Sequence, residues 1–250
     1  MPIYIAVAGK GGTGKTTFAS LLVRYLIKNH KGTVLAVDAD PNANLSEALG
    51  MESPLTISEL LEQTKNPKSL PTGMSKEIFI EYKLQQSLAE SKDVDLLAMG
   101  GPQGSGCYCY PNDLLRKYLE RLSGGYDYVV IDNEAGMEHI SRKTIPRVDY
   151  LFVISDASAR SVRSAGRIHQ LVGKLNSEFL QEYLVVTKTQ TGNMENLAEE
   201  IQKTQINLIG DIPYDADLVA FDETGKPLFN LPDRSGAVLA IDDILKKVGI

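Results

Sequence analysis

Tryptophan is absent from this 250-residue chain, only two cysteines and three histidines occur, and basic residues are outnumbered, 26 against 32 acidic, for a net charge of -6. Each scarcity removes a class of protein. Two cysteines cannot build the disulfide framework that staples small secreted folds. The negative balance argues against a broad nucleic-acid-binding surface. No apolar run approaches the ~18–20 residues needed to cross a bilayer. The chain enters its first apolar run, Ile3 to Ala8, with no room for a signal peptide before it. Both features make the cytoplasm the expected location. Neither an internal repeat nor a low-complexity tract interrupts the chain, and its length suits one α/β domain over 1–250 with a sizeable core.

What is present is a phosphate-binding pattern. Gly9-Lys10-Gly11-Gly12-Thr13-Gly14-Lys15-Thr16-Thr17 fits G-x-x-x-x-G-K-[ST], in which glycines let successive backbone N–H groups turn toward a polyphosphate. Lys15 is expected against the β- and γ-phosphates and the Thr16 hydroxyl on Mg²⁺. The run before it suits a buried parallel strand. Behind it, Phe18, Leu21, Leu22, Tyr25 and Leu26 recur at helical spacing, so a helix dipole faces the anion. Lys10 is an extra lysine that the usual loop geometry points away from its own phosphates.

Strand and helix patterns alternate along the chain, predicting a mostly parallel sheet with helices on both faces, a P-loop NTPase architecture. Strands are expected at 33–37, 94–98, 128–131, 150–154, 183–186 and 208–212, with helices near 112–121, 162–175 and 194–204. Residues 50 to 92 carry prolines and short helical patterns, and Gly100 to Pro111 reads as a glycine-rich loop. The C-terminal stretch from Ala240 is weakly amphipathic and reads as a helix packed on the sheet.

In such sheets ligands bind beyond the carboxyl ends of the strands. Asp132, after four apolar residues, has the place of the acid that holds Mg²⁺ through water. Asp38 and Asp40 close the second strand, expected to neighbour the first, where a carboxylate can orient an attacking water. The glycine loop together with Asp38-Ala39-Asp40-Pro41 resembles the deviant Walker A ATPases, the class of MinD, ParA and the nitrogenase iron protein. The resemblance implies that Lys10 reaches the phosphates of the other subunit in a two-fold homodimer, that Asp40 positions the water, and that ATP closes the dimer while hydrolysis reopens it. It also implies that Pro213 and Tyr214 cover the adenine. Where the class often places Asn-Lys or Asn-Arg, this chain has Thr187-Lys188. With no Asn-Lys-x-Asp guanine motif, ATP is expected over GTP, with Lys188 beside the base.

Both cysteines fall in Gly106-Cys107-Tyr108-Cys109-Tyr110-Pro111. In extended chain they project to one side with Cα atoms about 6.5–7 Å apart, at the edge of disulfide geometry. A two-fold dimer would gather four thiols, a set suited to Zn²⁺, Ni²⁺ or an iron–sulfur cluster. Within the deviant Walker class, this Cys-x-Cys and the later Gly136-Met137-Glu138-His139 are similar to the CooC-type accessory ATPases, which implies nickel insertion into carbon monoxide dehydrogenase or acetyl-CoA synthase. The alternatives are a ParA/MinD-like positioning ATPase, which needs a DNA or membrane surface, and an iron–sulfur scaffold ATPase. Neither nucleic acid nor membrane is expected as a partner.

Overall fold

In the computed structural model, residues 1–64, 70–100, 109–134, 147–174 and 179–250 are described. The strands are β1 (Ile3–Gly9), β2 (Val34–Ala39), β3 (Leu88–Ala89), β4 (Val94–Ala98), β5 (Tyr128–Asn133), β6 (Val148–Asp156), β7 (Phe179–Thr189) and β8 (Asn207–Pro213). They form one sheet in the order β3-β4-β2-β5-β1-β6-β7-β8, parallel except for the short edge strand β3. The mostly parallel α/β architecture is thus as read from the alternating pattern. One expectation is corrected: β2 does not neighbour β1, because β5 is inserted between them. Strand pairing is decided by tertiary packing, and the insertion brings Asp132 beside Asp38 in register.

The helices among the described residues are α1 (Lys15–Lys28), α2 (Leu45–Leu49), α3 (Ile57–Thr64), α4 (Lys76–Gln85), α5 (Cys109–Leu122), α6 (Ala159–Lys174), α7 (Asn193–Thr204), α8 (Ala216–Glu223) and α9 (Gly236–Val248). They cover both faces, which is why the central strands are apolar throughout rather than alternating. Side chains of Ile5, Val7, Val130, Phe152 and Val185 meet α1 and α9 on one face. Their strand neighbours point the other way. Ala6, Ala8, Val153 and Leu184 meet α6 and α7, while Leu35, Val37, Val129 and Ile131 meet α3, α4 and α5.

Two contacts fix α1, the helix that begins in the glycine loop. Phe18 packs on Phe152 with ring centroids 5.0 Å apart. Arg24, 2% exposed, donates to the carbonyls of Phe229 and Leu231 and pairs with Asp233. The C-terminal helix α9 buries Val238, Ile241, Ile244, Leu245 and Val248, so its apolar face is spent on the core. No helix among the described residues is long and apolar enough to cross a membrane.

Candidate active site

The glycine loop leaves β1 at a place where only glycine fits. A Cβ on Gly9 would stand 2.3 Å from the Ile154 carbonyl oxygen of β6. Gly14, at φ 89, occupies the left-handed region and starts α1 without a side-chain cap, leaving the helix's first N–H groups to a ligand. The Lys10 carbonyl accepts from the Thr13 hydroxyl at 2.8 Å and from the Lys15 ammonium at 3.5 Å. Lys15 is buried at the base of the loop, whereas Lys10 and Gly11 are exposed. This is the arrangement of a polyphosphate cradle: a buried ammonium, free helix N–H groups and a positive dipole end.

The acidic side of the cradle is built by two adjacent strand ends. Thr16 donates its hydroxyl to Asp132 Oδ2 at 2.6 Å, but the buried Oδ1 of the same carboxylate has no partner. Burial, opposed by the Thr16 hydroxyl and reinforced by the nearby Asp38 charge, pushes the Asp132 carboxyl up to about 7. A hydroxyl and a buried carboxylate oxygen with unspent capacity form a hard-oxygen pair that fits Mg²⁺ or its bound water. Asp38 is different. Its two oxygens accept the backbone N–H groups of Asp40 at 3.0 Å and Leu45 at 2.8 Å, and burial raises its carboxyl to about 6. It anchors the turn that presents Asp40. Asp40 is half-buried and accepts from the backbone and side-chain nitrogens of Asn42 through Oδ1 alone.

On the other side of Thr17 lies an apolar cleft of about 240 Å³, lined among others by Gly14, Phe18, Thr187, Lys188, Pro213 and Tyr214. Pro213 and Tyr214 thus come together with the loop. Tyr214 is exposed, and its backbone N–H is held by the Thr189 carbonyl at 2.9 Å. Asp215 holds the cleft in shape. Its Oδ1 caps α8 through the N–H groups of Asp217 and Leu218, and its Oδ2 accepts from Ser235 and the Ala237 N–H at the start of α9. A more polar cleft of about 320 Å³, bordered by Asn44, Glu47 and Lys226, flanks Thr16 and Thr17. A flat purine matches the apolar cleft.

Sequence reasoning missed Asp215, although an aspartate just before a helix is a cap signal. It also missed the Thr187 hydroxyl, which reaches the Thr13 carbonyl at 2.7 Å across 174 residues of chain. No local signal marks that contact. Of the cysteine segment, Cys107 lies outside the described residues, as do Gly136, Met137, Glu138 and His139. Cys109 is not in extended chain as expected: it is the first residue of α5. Pro111, taken as the end of a loop, sits in the first turn of that helix, where its missing N–H costs nothing. Beyond the C-terminus of α5, Ser123 receives the Tyr4 hydroxyl at the start of β1. The helix therefore runs against the sheet, and Cys109 stands at the same end as the phosphate cradle.

These features define a P-loop ATPase, and comparison with known proteins gives its family. Residues 4–228 match the CobQ/CobB/MinD/ParA nucleotide-binding domain; the chain belongs to this family and is an ATPase of the MinD/ParA class. It is 40% identical over 98% of both chains to an uncharacterised ATP-binding protein of Methanocaldococcus jannaschii. It is 31% identical to the carbon monoxide dehydrogenase accessory protein CooC of Rhodospirillum rubrum, covering 98% of this chain and 97% of that one. Among solved structures, the septum site-determining protein MinD with Mg-ADP from Pyrococcus horikoshii superposes with a TM-score of 0.72 at 20% identity, covering 100% and 96% of the two chains.

Proposed function

We propose that this chain is an ATP-hydrolysing maturation factor that works as a homodimer and assists nickel insertion into carbon monoxide dehydrogenase or acetyl-CoA synthase. The observation that carries the reading is end-to-end similarity to CooC, joined to the position of Cys109 at the cradle end of the sheet. A metal ligand at Cys109 can respond to what the phosphate loop holds.

In the reaction, the N–H groups of Gly11, Gly12 and Gly14 to Thr17 cradle the phosphates and the Lys15 ammonium leaves the Lys10 carbonyl to neutralise the β- and γ-oxygens. Thr16 and Asp132 would hold Mg²⁺, which would offset negative charge developing on the phosphates. Asp40, presented by the Asp38 turn, orients the attacking water through its free Oδ2. Lys188, Pro213 and Tyr214 line the base cleft. Lys10, exposed on the outer rim of the loop, reaches the phosphates of the partner protomer, so the closed dimer hydrolyses and the open one does not. Closure gathers Cys107 and Cys109 of both protomers into one four-thiolate site for Zn²⁺ or Ni²⁺.

The test is metal stoichiometry with oligomeric mass, measured in ADP and in ATP, for the native protein and for Cys107→Ser/Cys109→Ser. One metal per dimer, lost in the double variant, is expected; equal affinity in both proteins ends the metal reading. A visible charge-transfer band after anaerobic reconstitution with iron and sulfide would redirect it to a cluster scaffold. A second reading, a positioning ATPase, draws on 26% identity to the septum site-determining protein MinD of Bacillus subtilis across 98% of this chain. ATP-dependent pelleting with liposomes or DNA would favour it. Against it, α9 buries Val238, Ile241, Ile244, Leu245 and Val248 in the core and exposes Leu239 alone of its large apolar side chains.

A further inference from the structure

We infer that Thr187 and Lys188 are positioning residues of the phosphate cradle, setting the direction of its N–H groups from outside rather than reading the base; this rests on the ATP reading above. Lys188 is displaced from its strand. The register of β7 against β8 shifts between Thr187 and Thr189, and Lys188, the residue between them, has φ 57. A left-handed, non-glycine residue in a bulge costs free energy and persists where the surroundings hold it. What holds it is the loop: Lys188 Nζ donates to the Gly12 carbonyl at 2.9 Å. One residue earlier, the Thr187 hydroxyl donates to the Thr13 carbonyl at 2.7 Å.

Two successive carbonyls of the glycine loop are thus tied to the same strand end. A trans peptide is planar, with its N–H opposite its C=O. Holding the Gly12 carbonyl turns the Thr13 N–H away from β7, where it closes a turn on the Lys10 carbonyl. Holding the Thr13 carbonyl turns the Gly14 N–H into the concavity at the start of α1. Free glycine-rich backbone samples many directions, so the ties remove an ordering cost that phosphate binding would otherwise bear. The Thr187 hydroxyl hydrogen and one of the three Lys188 ammonium hydrogens are thus committed to the loop. The stems of both side chains still wall the base cleft.

The experiment separates the two halves of the nucleotide. Binding of Mg-ATP, inorganic tripolyphosphate and adenosine is measured by competition for Lys188→Met, Lys188→Arg, Thr187→Val and Thr187→Ser. Lys188→Met and Thr187→Val are expected to weaken ATP and tripolyphosphate alike, by about three- to tenfold for one lost charged or neutral hydrogen bond each, and to leave adenosine unchanged. Lys188→Arg and Thr187→Ser, which keep a donor, should restore native binding. Loss of adenosine binding with tripolyphosphate unaffected would overturn the inference in favour of base reading, as would native behaviour in all four variants. A native protein that binds neither ATP nor tripolyphosphate would instead remove the ATP reading on which it stands.

Discussion

Two strand ends, one step apart in the sheet, carry the same residue to opposite effect. Asp38 on β2 and Asp132 on β5 are register partners, and each is 1% exposed. Asp38 spends both oxygens on backbone N–H groups of its own turn. Asp132 takes one hydroxyl and leaves Oδ1 without a partner in a dry site. The first is a structural anchor and the second an unfinished one, and burial alone does not tell them apart. Unsatisfied buried polar atoms are scarce in native proteins because each costs free energy. One kept beside a phosphate cradle marks where stability has been exchanged for chemistry.

The largest effects should come from breaking the unfinished anchor. Asp132→Asn keeps the shape and the acceptor for Thr16 but removes the charge. Steady-state ATP hydrolysis should fall roughly 10²–10³-fold, the range for losing one electrostatic support of a transition state. The nucleotide-free protein should at the same time melt at a higher temperature at pH 8, since an uncompensated buried charge is gone. Asp38→Ala should do the reverse to the fold. It strands the N–H groups of Asp40 and Leu45, at a cost of about 2–4 kcal/mol, read as a lower denaturant midpoint. Equal destabilisation by the two variants would erase the distinction between the two aspartates.

The next contrast is in pH. Both carboxyls are raised above the ~3.9 of an unfolded aspartate, Asp38 to about 6 and Asp132 to about 7, chiefly by burial. Between pH 4 and 7 the folded, nucleotide-free and Mg-free protein therefore binds more protons than the unfolded chain at these sites. Their contribution to stability is best below pH 4 and declines as pH rises to 7, by on the order of 3 kcal/mol for Asp38 alone. Asp132→Asn should abolish the decline between pH 6 and 7, where only Asp132 titrates, and roughly halve it between pH 4 and 6, where Asp38 still contributes. Thermal melts at half-unit steps would show it. A native profile in the variant would assign the slope to other groups.

Much of this was legible in the chain itself. The glycine loop, its flanking strand and helix, and the acid after β5 are local patterns with a chemical reason, and the structure brings Lys15, Thr16 and Asp132 together. What was not legible is long-range or lacks periodicity. The insertion of β5 between β1 and β2 depends on pairing choices across more than 90 residues. Helix α8 fully buries none of its residues and shows no clear apolar stripe to read; the Asp215 cap and partial packing of Leu218 and Phe221 on the core hold it in place. The start of α5 was hidden by Pro111, which has loop character in sequence and sits in the first helical turn in space.

The smallest effect should come from the third carboxylate, and it sharpens the comparison most finely. Asp40 is neither locked like Asp38 nor buried like Asp132; one oxygen is held by two nitrogens of Asn42 and the other is free. Asn42→Ala removes the side-chain nitrogen and keeps the backbone one, loosening the carboxylate without displacing it. Hydrolysis should slow by about two- to fivefold through kcat, the scale of one neutral hydrogen bond, with KM for ATP unchanged because Asp40 meets water rather than nucleotide. A change confined to KM would place Asp40 on the nucleotide. No change in either constant would mean that the Asp38 turn alone holds Asp40 in place, extending the anchoring role of Asp38 to the water itself.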